Sequence, residues 1–429
     1  MASNADLFET AWGHHQAGEW RQAEDAYRRL LRREPGNGRV WFALAHLCQA
    51  QGRLAEAAAY FRQAIEAYPK DPQGPFCLGN ALLNDGNLDE AADAFRRCLE
   101  LRPDHPEALG NLGYVLGEQG KWDEAQEVYR RALALNPNLP EVHHNLGNLL
   151  RERGRREEAL ARYDEALRLR PDYAKAYINR GVALIALGRV AEAVADLRRG
   201  VELQPDFAEA HSSLGAALSV QGHLDAALAE YEEAIRLNPA YSEAHWNRSL
   251  VWLLRGDFAR GWEAYEWRWR RQHGIDRLDP LDRPAWDGSP LAGKTILLRA
   301  EQGLGDTLQF VRYARVLQRQ GARVVVQPQN VLLPLLGHCP GIDQLVPRAA
   351  PLPPFDVHAP LLSLPHLLGT TLETVPAEVP YLFADPALVE RWRLELASLR
   401  GFRVGIAWQG NPTHPWDRQR SVPLAAFEP

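Results

Sequence analysis

The apolar pattern reads as paired helices up to about Gly274, and its period changes after Lys294. A ruler of 34 residues runs through the first part. It picks out Pro35, Pro69, Pro103, Pro137, Pro171, Pro205 and Pro239, and Gly18 to Gly256 at the same spacing. Between them fall Ala23, Ala57, Ala91, Ala125, Ala159, Ala193 and Ala227. A large residue follows each alanine by four: Tyr27, Phe61, Phe95, Tyr129, Tyr163, Leu197 and Tyr231. Each choice has a physical reason. Glycine ends the first helix of a pair, where a left-handed residue is cheap. Alanine lets paired helices approach, the large residue fills the gap, and proline stops the second helix. The spacing predicts seven helix-turn-helix units and a degenerate eighth, Tyr241 to about Gly274. There Gly261 replaces the small alanine, His273 replaces the proline, and five tryptophans crowd in between Trp246 and Trp269. End units of a stacked array must cover one open apolar face. The eighth is therefore expected to be a cap and a docking surface.

This 34-residue pattern resembles the tetratricopeptide repeat (TPR), which implies an all-α superhelix over residues 1–274. Such arrays present the first helix of each unit along a groove. Asn111, Asn145, Asn179 and Asn247 share one repeat position, with Ser213 filling the gap, and Asn80 and Asn148 lie three positions further on their helices. Asparagine is a poor helix-interior residue, so its recurrence asks for a reason. Its amide can hold a peptide backbone without reading side chains, or it can bond to neighbouring helices. A similar asparagine ladder lines the TPR groove of the protein O-GlcNAc transferases, which matches in position and residue type. A protein or peptide is the partner this implies.

After a Pro-, Asp- and Gly-rich linker, 275–293, strand and helix signals alternate. "KTILLRAE" and "ARVVVQP" read as strands, "TLQFVRYARVLQRQG" as an amphipathic helix, "NVLLPLLGHCPGIDQLV" as helix then strand, and "FDVHAPLLSLPHLLG" as strand and turn. This predicts a doubly wound parallel α/β lobe, with ligands at the carboxyl ends of its strands. The first such loop is "EQGLGDT". Gly303 and Gly305 are expected where the chain turns tightly. Asp306 is either the N-cap of a helix starting at Thr307 or a general base for a substrate hydroxyl. The third glycine of a dinucleotide fingerprint is missing, and no acidic residue ends "ARVVVQP", which disfavours an oxidoreductase.

Three stretches, "AEQGLGDTLQFVRYA", "LPPFDVHAPLLSLPHLLGTTLETVP" and "RVGIAWQGNPTHPWDRQRSVPL", resemble the bacterial TPR–glycosyltransferase proteins, whose C-terminal domain is related to heptosyltransferases. The resemblance implies a GT-B architecture, with an acceptor lobe at 294–401 and the start of a donor lobe at 402–429. It also implies metal-independent transfer from a nucleotide sugar, with no other cofactor. On that reading Asp306 is the base. Gly303, Gly305 and His358 belong to the acceptor loops, and Gly410, Asn411, Arg420 and Ser421 take the donor phosphates. Arg420 is otherwise a solvent-facing loop residue. His358 and His414 are otherwise structural. Only about one strand and a loop of the donor lobe precede Pro429, so the chain is expected to be a fragment or a form that does not transfer. The alternative is a TPR scaffold that recruits partners.

Composition narrows the classes further. The net charge of −6 divides unevenly: Lys294–Pro429 carries 13 Lys+Arg against 11 Asp+Glu, and the rest 36 against 44. Neither part has the basic excess of a nucleic-acid binder. Cys48, Cys77, Cys98 and Cys339 lack metal or redox spacing, so no metal site is expected. Reduced thiols, no signal segment and no membrane-length apolar run point to a cytoplasmic protein.

Overall fold

The computed structural model describes residues 3–271 and 278–398. The chain divides into two compact units at Leu203/Gln204. The first holds twelve helices: α1 (Asn4–Gln16), α2 (Trp20–Arg33), α3 (Gly38–Ala50), α4 (Leu54–Ala67), α5 (Gln73–Asn84), α6 (Leu88–Leu101), α7 (Pro106–Glu118), α8 (Trp122–Leu135), α9 (Pro140–Glu152), α10 (Arg156–Leu169), α11 (Ala174–Ala186) and α12 (Val190–Leu203). Each odd-numbered helix and the next form one repeat.

The 34-residue ruler maps directly onto these boundaries. All eight ruler glycines, Gly18 to Gly256, take φ between 73° and 83°, the left-handed conformation that glycine adopts without a Cβ clash. Each second helix ends two residues before its proline, as α4 ends at Ala67 before Pro69. The ruler alanines are fully buried, and the large residues four positions later are 0–2% exposed. Each large residue packs against the first helix of its own pair. A Cβ on Gly113 of α7 would stand 2.6 Å from the Tyr129 ring of α8, and Gly79 and Gly147 stand in the same relation to Phe95 and Tyr163. The aromatic thus sits where the partner helix carries no side chain, a close fit that one methyl group would break.

A ring N–H adds a repeated tie. Trp41 Nε1 donates to the Pro35 carbonyl at 2.7 Å. His143 Nε2 lies 3.0 Å from the Pro137 carbonyl, a contact that needs the proton on Nε2. His211 and His245 repeat this contact in the second unit, with Pro205 and Pro239, each at 3.0 Å.

The second unit begins with α13 (Ala208–Val220), α14 (Leu224–Leu237), α15 (Ser242–Leu254) and α16 (Phe258–Tyr265), followed by a 3-10 helix, Glu266–Arg270. In this eighth repeat the glycine at 261 has a reason: a Cβ there would meet Leu253 at 2.6 Å. Four parallel strands follow: β1 (Thr295–Arg299), β2 (Arg323–Gln327), β3 (Gln344–Leu345) and β4 (Val357–Pro360). Their order is β3-β2-β1-β4, so the strand direction of travel reverses beside β1. Leu297 pairs with Val325 on one side and His358 on the other. The connecting helices are α17 (Leu304–Phe310), α18 (Tyr313–Arg319), α19 (Leu333–Leu336) and α20 (Leu364–Leu367), and α21 (Pro386–Glu395) closes the described chain.

Ile296, Leu298, Val324 and Val326 form one core with Phe310, Tyr313 and Leu317, and the eighth repeat packs into it through Tyr265, Trp246, Leu253 and Trp262. The other sheet face carries Leu297, Val325 and Val346. It is covered by Leu281, Ala350, Leu352 and Phe355, which lie on irregular chain. Among the described residues, helices therefore cover one face and not both, which corrects the doubly wound expectation. The reason is topological. The β3–β4 connection, which must cross the sheet to reach the far side of β1, carries prolines at 347, 351, 353 and 354 in place of a helix.

Candidate functional site

Two places carry site chemistry, the first helices of the first unit and the carboxyl end of β1. In the first unit the half-buried asparagines bond to one another or to a neighbouring histidine. Asn111 Nδ2 donates to Asn80 Oδ1 at 2.7 Å. Asn179 Nδ2 donates to Asn148 Oδ1 at 2.9 Å and lies 2.9 Å from His144 Nε2. Asn145 Oδ1 is 3.1 Å from His144 Nδ1, and Tyr163 donates to Asn148 Oδ1 at 2.8 Å. The ladder is therefore two separate runs of side-chain bonds, Asn80–Asn111 and Asn145–His144–Asn179–Asn148–Tyr163, each bridging neighbouring helices. Burial holds the His144 ring below its ordinary pKa, so it remains neutral within this chain. Ser213 on α13 and Asn247 on α15 are likewise half-buried, in the second unit.

The repeat position of Asn80 and Asn148 also holds Trp12, His46 and Tyr114. At its N-terminal end this row opens into a pocket of about 590 Å³, walled by Phe8, Trp12, Phe42, His46 and Tyr68 with Arg39 at its edge. Arg39 lies over the Phe8 ring at 4.1 Å. Burial lowers the His46 pKa, so the wall is uncharged on that side. A smaller pocket, about 110 Å³, lies further along the row between Tyr114, Trp122 and Asn148. The sequence pattern did not single out this aromatic row. The signal was available, because Trp12 and His46 obey the same 34-residue spacing as the asparagines.

At the sheet, Asp306 is the third residue of α17, which starts at Leu304 with Gly303 as N-cap. Its carboxylate accepts the Gly303 amide at 3.0 Å. The expected N-cap role is thus corrected to a reach-back from inside the first turn, which satisfies an amide the helix leaves open. Gly303 has φ −64° and a Cβ on Gly305 would meet nothing within 4 Å, so neither glycine is required by a tight turn. His358 is not brought to Asp306. It pairs with Leu297, whose side chain belongs to the opposite sheet face from the one α17 covers, and it packs against Phe355. Burial, then Arg299, lowers its pKa. Gly410, Asn411, His414, Arg420 and Ser421 lie outside the described residues.

A buried ion cluster at the same strand end was missed. Arg268, on the 3-10 helix of the eighth repeat, is fully buried. Its Nη2 donates to Glu301 Oε1 at 3.0 Å and to Ser363 Oγ at 2.7 Å, and its Nη1 donates to Glu266 at 2.6 Å. Glu301, two residues past β1, also accepts the Leu362 amide at 3.1 Å. Burial pushes the Glu301 carboxyl up to about 7, against the pull of Arg268 and that amide. The crevice beside β1 where the strand order reverses, the usual ligand position of such sheets, thus holds a guanidinium from the repeats. The clue in the sequence was an acid directly after an apolar strand.

Tetratricopeptide-repeat family models match residues 8–72, 78–140 and 128–161, and a TPR-repeat model matches 147–188, 183–222 and 220–253. This chain is a tetratricopeptide-repeat protein. The TPR chain is similar to protein FlbA of Caulobacter vibrioides, 26% identical over 218 residues, 42% of this chain and 35% of FlbA. It thus spans about a third of that relative's length. Similar solved structures include a TPR protein from Parabacteroides merdae, 19% identical with TM-score 0.49, covering 58% of this chain and 98% of that one. A thermophilic TPR protein of Thermus thermophilus is 29% identical with TM-score 0.37, covering 43% of this TPR chain and 100% of its own. Among the described residues, no helix of the TPR protein is long and apolar enough to cross a membrane.

Proposed function

We propose that this chain is a TPR scaffold whose first unit binds an extended peptide segment of a partner protein. The observation that carries the reading is the aromatic pocket of about 590 Å³ at the head of the row Trp12, His46, Asn80, Tyr114 and Asn148. Such a pocket suits one large apolar side chain as an anchor. The amides beyond it suit the backbone that follows. A bond between two carboxamides uses one donor and one lone pair, and the remaining valences of a half-exposed amide can pair with a peptide group. The test is selection of phage-displayed peptides on the full chain, followed by titration of a selected peptide. Trp12→Ala or Phe42→Ala is expected to weaken binding at least tenfold, and Asn111→Ala less. Selected peptides that bind both pocket variants as well as the parent would reject the reading.

A second reading is transfer of a sugar from a nucleotide donor to a hydroxyl acceptor. It is supported by Asp306 standing in the first loop at the carboxyl ends of a parallel sheet. Its carboxylate would leave the Gly303 amide to take the acceptor proton. The donor contacts would fall to Arg420 and Ser421. Calorimetric titration with a panel of sugar nucleotides, on this chain and on one extended past Pro429, tests it. Binding weakened by Arg420→Ala supports transfer, and no binding to either chain leaves the scaffold alone.

A further inference from the structure

Helix α18 and the residue before it turn three arginines, Arg312, Arg315 and Arg319, toward one cavity of about 260 Å³. Their spacing of three and four residues puts them on one helical face. The far wall is irregular chain between α20 and α21, including Pro376, Glu378 and Tyr381. Three guanidinium groups thus meet one lining carboxylate, an excess of two positive charges.

The ion pairs show what the arrangement is shaped to hold. Glu378 presents one oxygen to Arg315 Nη1 and the other to Arg319 Nη2, each at 2.6 Å. Arg312 donates from Nη1 to the Pro376 carbonyl at 2.6 Å and lies over the Tyr381 ring at 4.0 Å, while its buried Nε has no partner among the described residues. Two guanidinium groups already converge on two oxygens of one anion, and a third stands beside them without a counter-charge among the described residues. A tetrahedral dianion offers the same pair of oxygens, a third for Arg312, and the second negative charge that a carboxylate lacks. The cavity exceeds by several-fold the roughly 30 Å³ that a water takes up in the liquid, so the group fits with its hydration.

We propose that this cavity is a binding site for a phosphate dianion, either inorganic phosphate or the phosphate of a small monoester. Glu378 is its internal competitor for Arg315 and Arg319. The site lies on the outer side of α18, and it does not depend on the peptide groove or on sugar transfer.

The test is isothermal titration of the full chain with sodium phosphate and with phenyl phosphate, chloride holding the ionic strength constant. Saturable binding is expected for at least one probe. Binding of both assigns the site to the phosphate group alone, and binding of phenyl phosphate only assigns it to monoesters. Arg315→Gln and, separately, the more exposed Arg319→Gln are expected to weaken binding at least tenfold. Glu378→Gln is expected to tighten it several-fold, a gain that a purely structural ion pair would not produce. The proposal is overturned if neither probe binds the parent or Glu378→Gln. It is equally overturned if both arginine variants, shown folded by circular dichroism, bind as the parent does, or if Glu378→Gln binds more weakly.

Discussion

In the first unit each helix pair closes on the same few contacts. A fully buried alanine, a large residue four positions on and a left-handed glycine recur every 34 residues, and the polar groups lie along the half-exposed row between helices. In the second unit, beyond its two repeats, the decisive contacts occur once. Arg268, Glu301, Glu266 and Ser363 come from three separate segments and meet where no water reaches Arg268. A periodic unit spreads its stability over many equivalent small contacts. The aperiodic part of the second unit concentrates it in a cluster that holds only when complete.

The sharpest way to break this contrast is Arg268→Ala. It would leave Glu301 buried without its guanidinium, at a cost of about 3–5 kcal/mol. Urea unfolding followed by tryptophan fluorescence should show a transition of the second unit moving to lower denaturant while that of the first holds. Replacing both partners, with Arg268→Met and Glu301→Leu together, should recover much of the loss, since an apolar pair can stand in for a buried ion pair.

Gly113→Ala should come next, at about 1–3 kcal/mol, because its methyl group would sit 2.6 Å from the Tyr129 ring. The same measurement should show the effect confined to the first unit.

Acid should then separate the two units more gently. In the first, His15, His46, His143 and His144 are held below their ordinary pKa chiefly by burial. Their neutral forms favour folding, so this contribution is complete above about pH 6.5 and is lost as pH falls below it. His245 and His358 act in the same sense in the second unit. Glu301 acts in the opposite sense. Its folded value of about 7 lies above the unfolded one, so the folded state gains as pH falls from 7 toward about 4.3. Midpoints measured at successive pH values between about 7.5 and about 5 should fall more steeply for the first unit. Equal slopes would remove Glu301 from the account.

The smallest effect is expected from Gly305→Ala, where a Cβ enters open space within α17. Stability should be unchanged or rise by up to about 1 kcal/mol, the helix preference of alanine over glycine. A loss of ligand binding without loss of stability would show that the bare backbone there serves recognition.

The repeat architecture was legible because a 34-residue spacing constrains turn, close approach and helix end together. Gly52, Ala57, Phe61 and Pro69 each mean one thing in that frame. The strands at 295–299 and 323–327 were legible from their continuous apolar runs. The helix after β1 was placed three residues late. Asp306 has the look of a cap, and only the backbone shows that Gly303 takes that position. The amide ladder was found by position, but whether its groups bond inward or outward depends on distances between helices. Arg268 was hidden for a related reason. An arginine among tryptophans reads as a solvated charge until residues 33 and 95 positions away close over it.

Those separations also bear on how the protein emerges from the ribosome. The helix pairs of the first unit close within about 30 residues of chain, so each can collapse soon after synthesis and await its neighbour. Arg268 cannot. It leaves the exit tunnel before Glu301 and well before Ser363, and with it come the apolar faces of Trp246 and Trp262 that the sheet later covers. Throughout that interval the growing chain carries a finished array ending in an uncovered aromatic patch and a guanidinium that still lacks Glu301 and Ser363. The pace of translation over 270–363 therefore sets how long this surface stays open to chaperones and to other nascent chains.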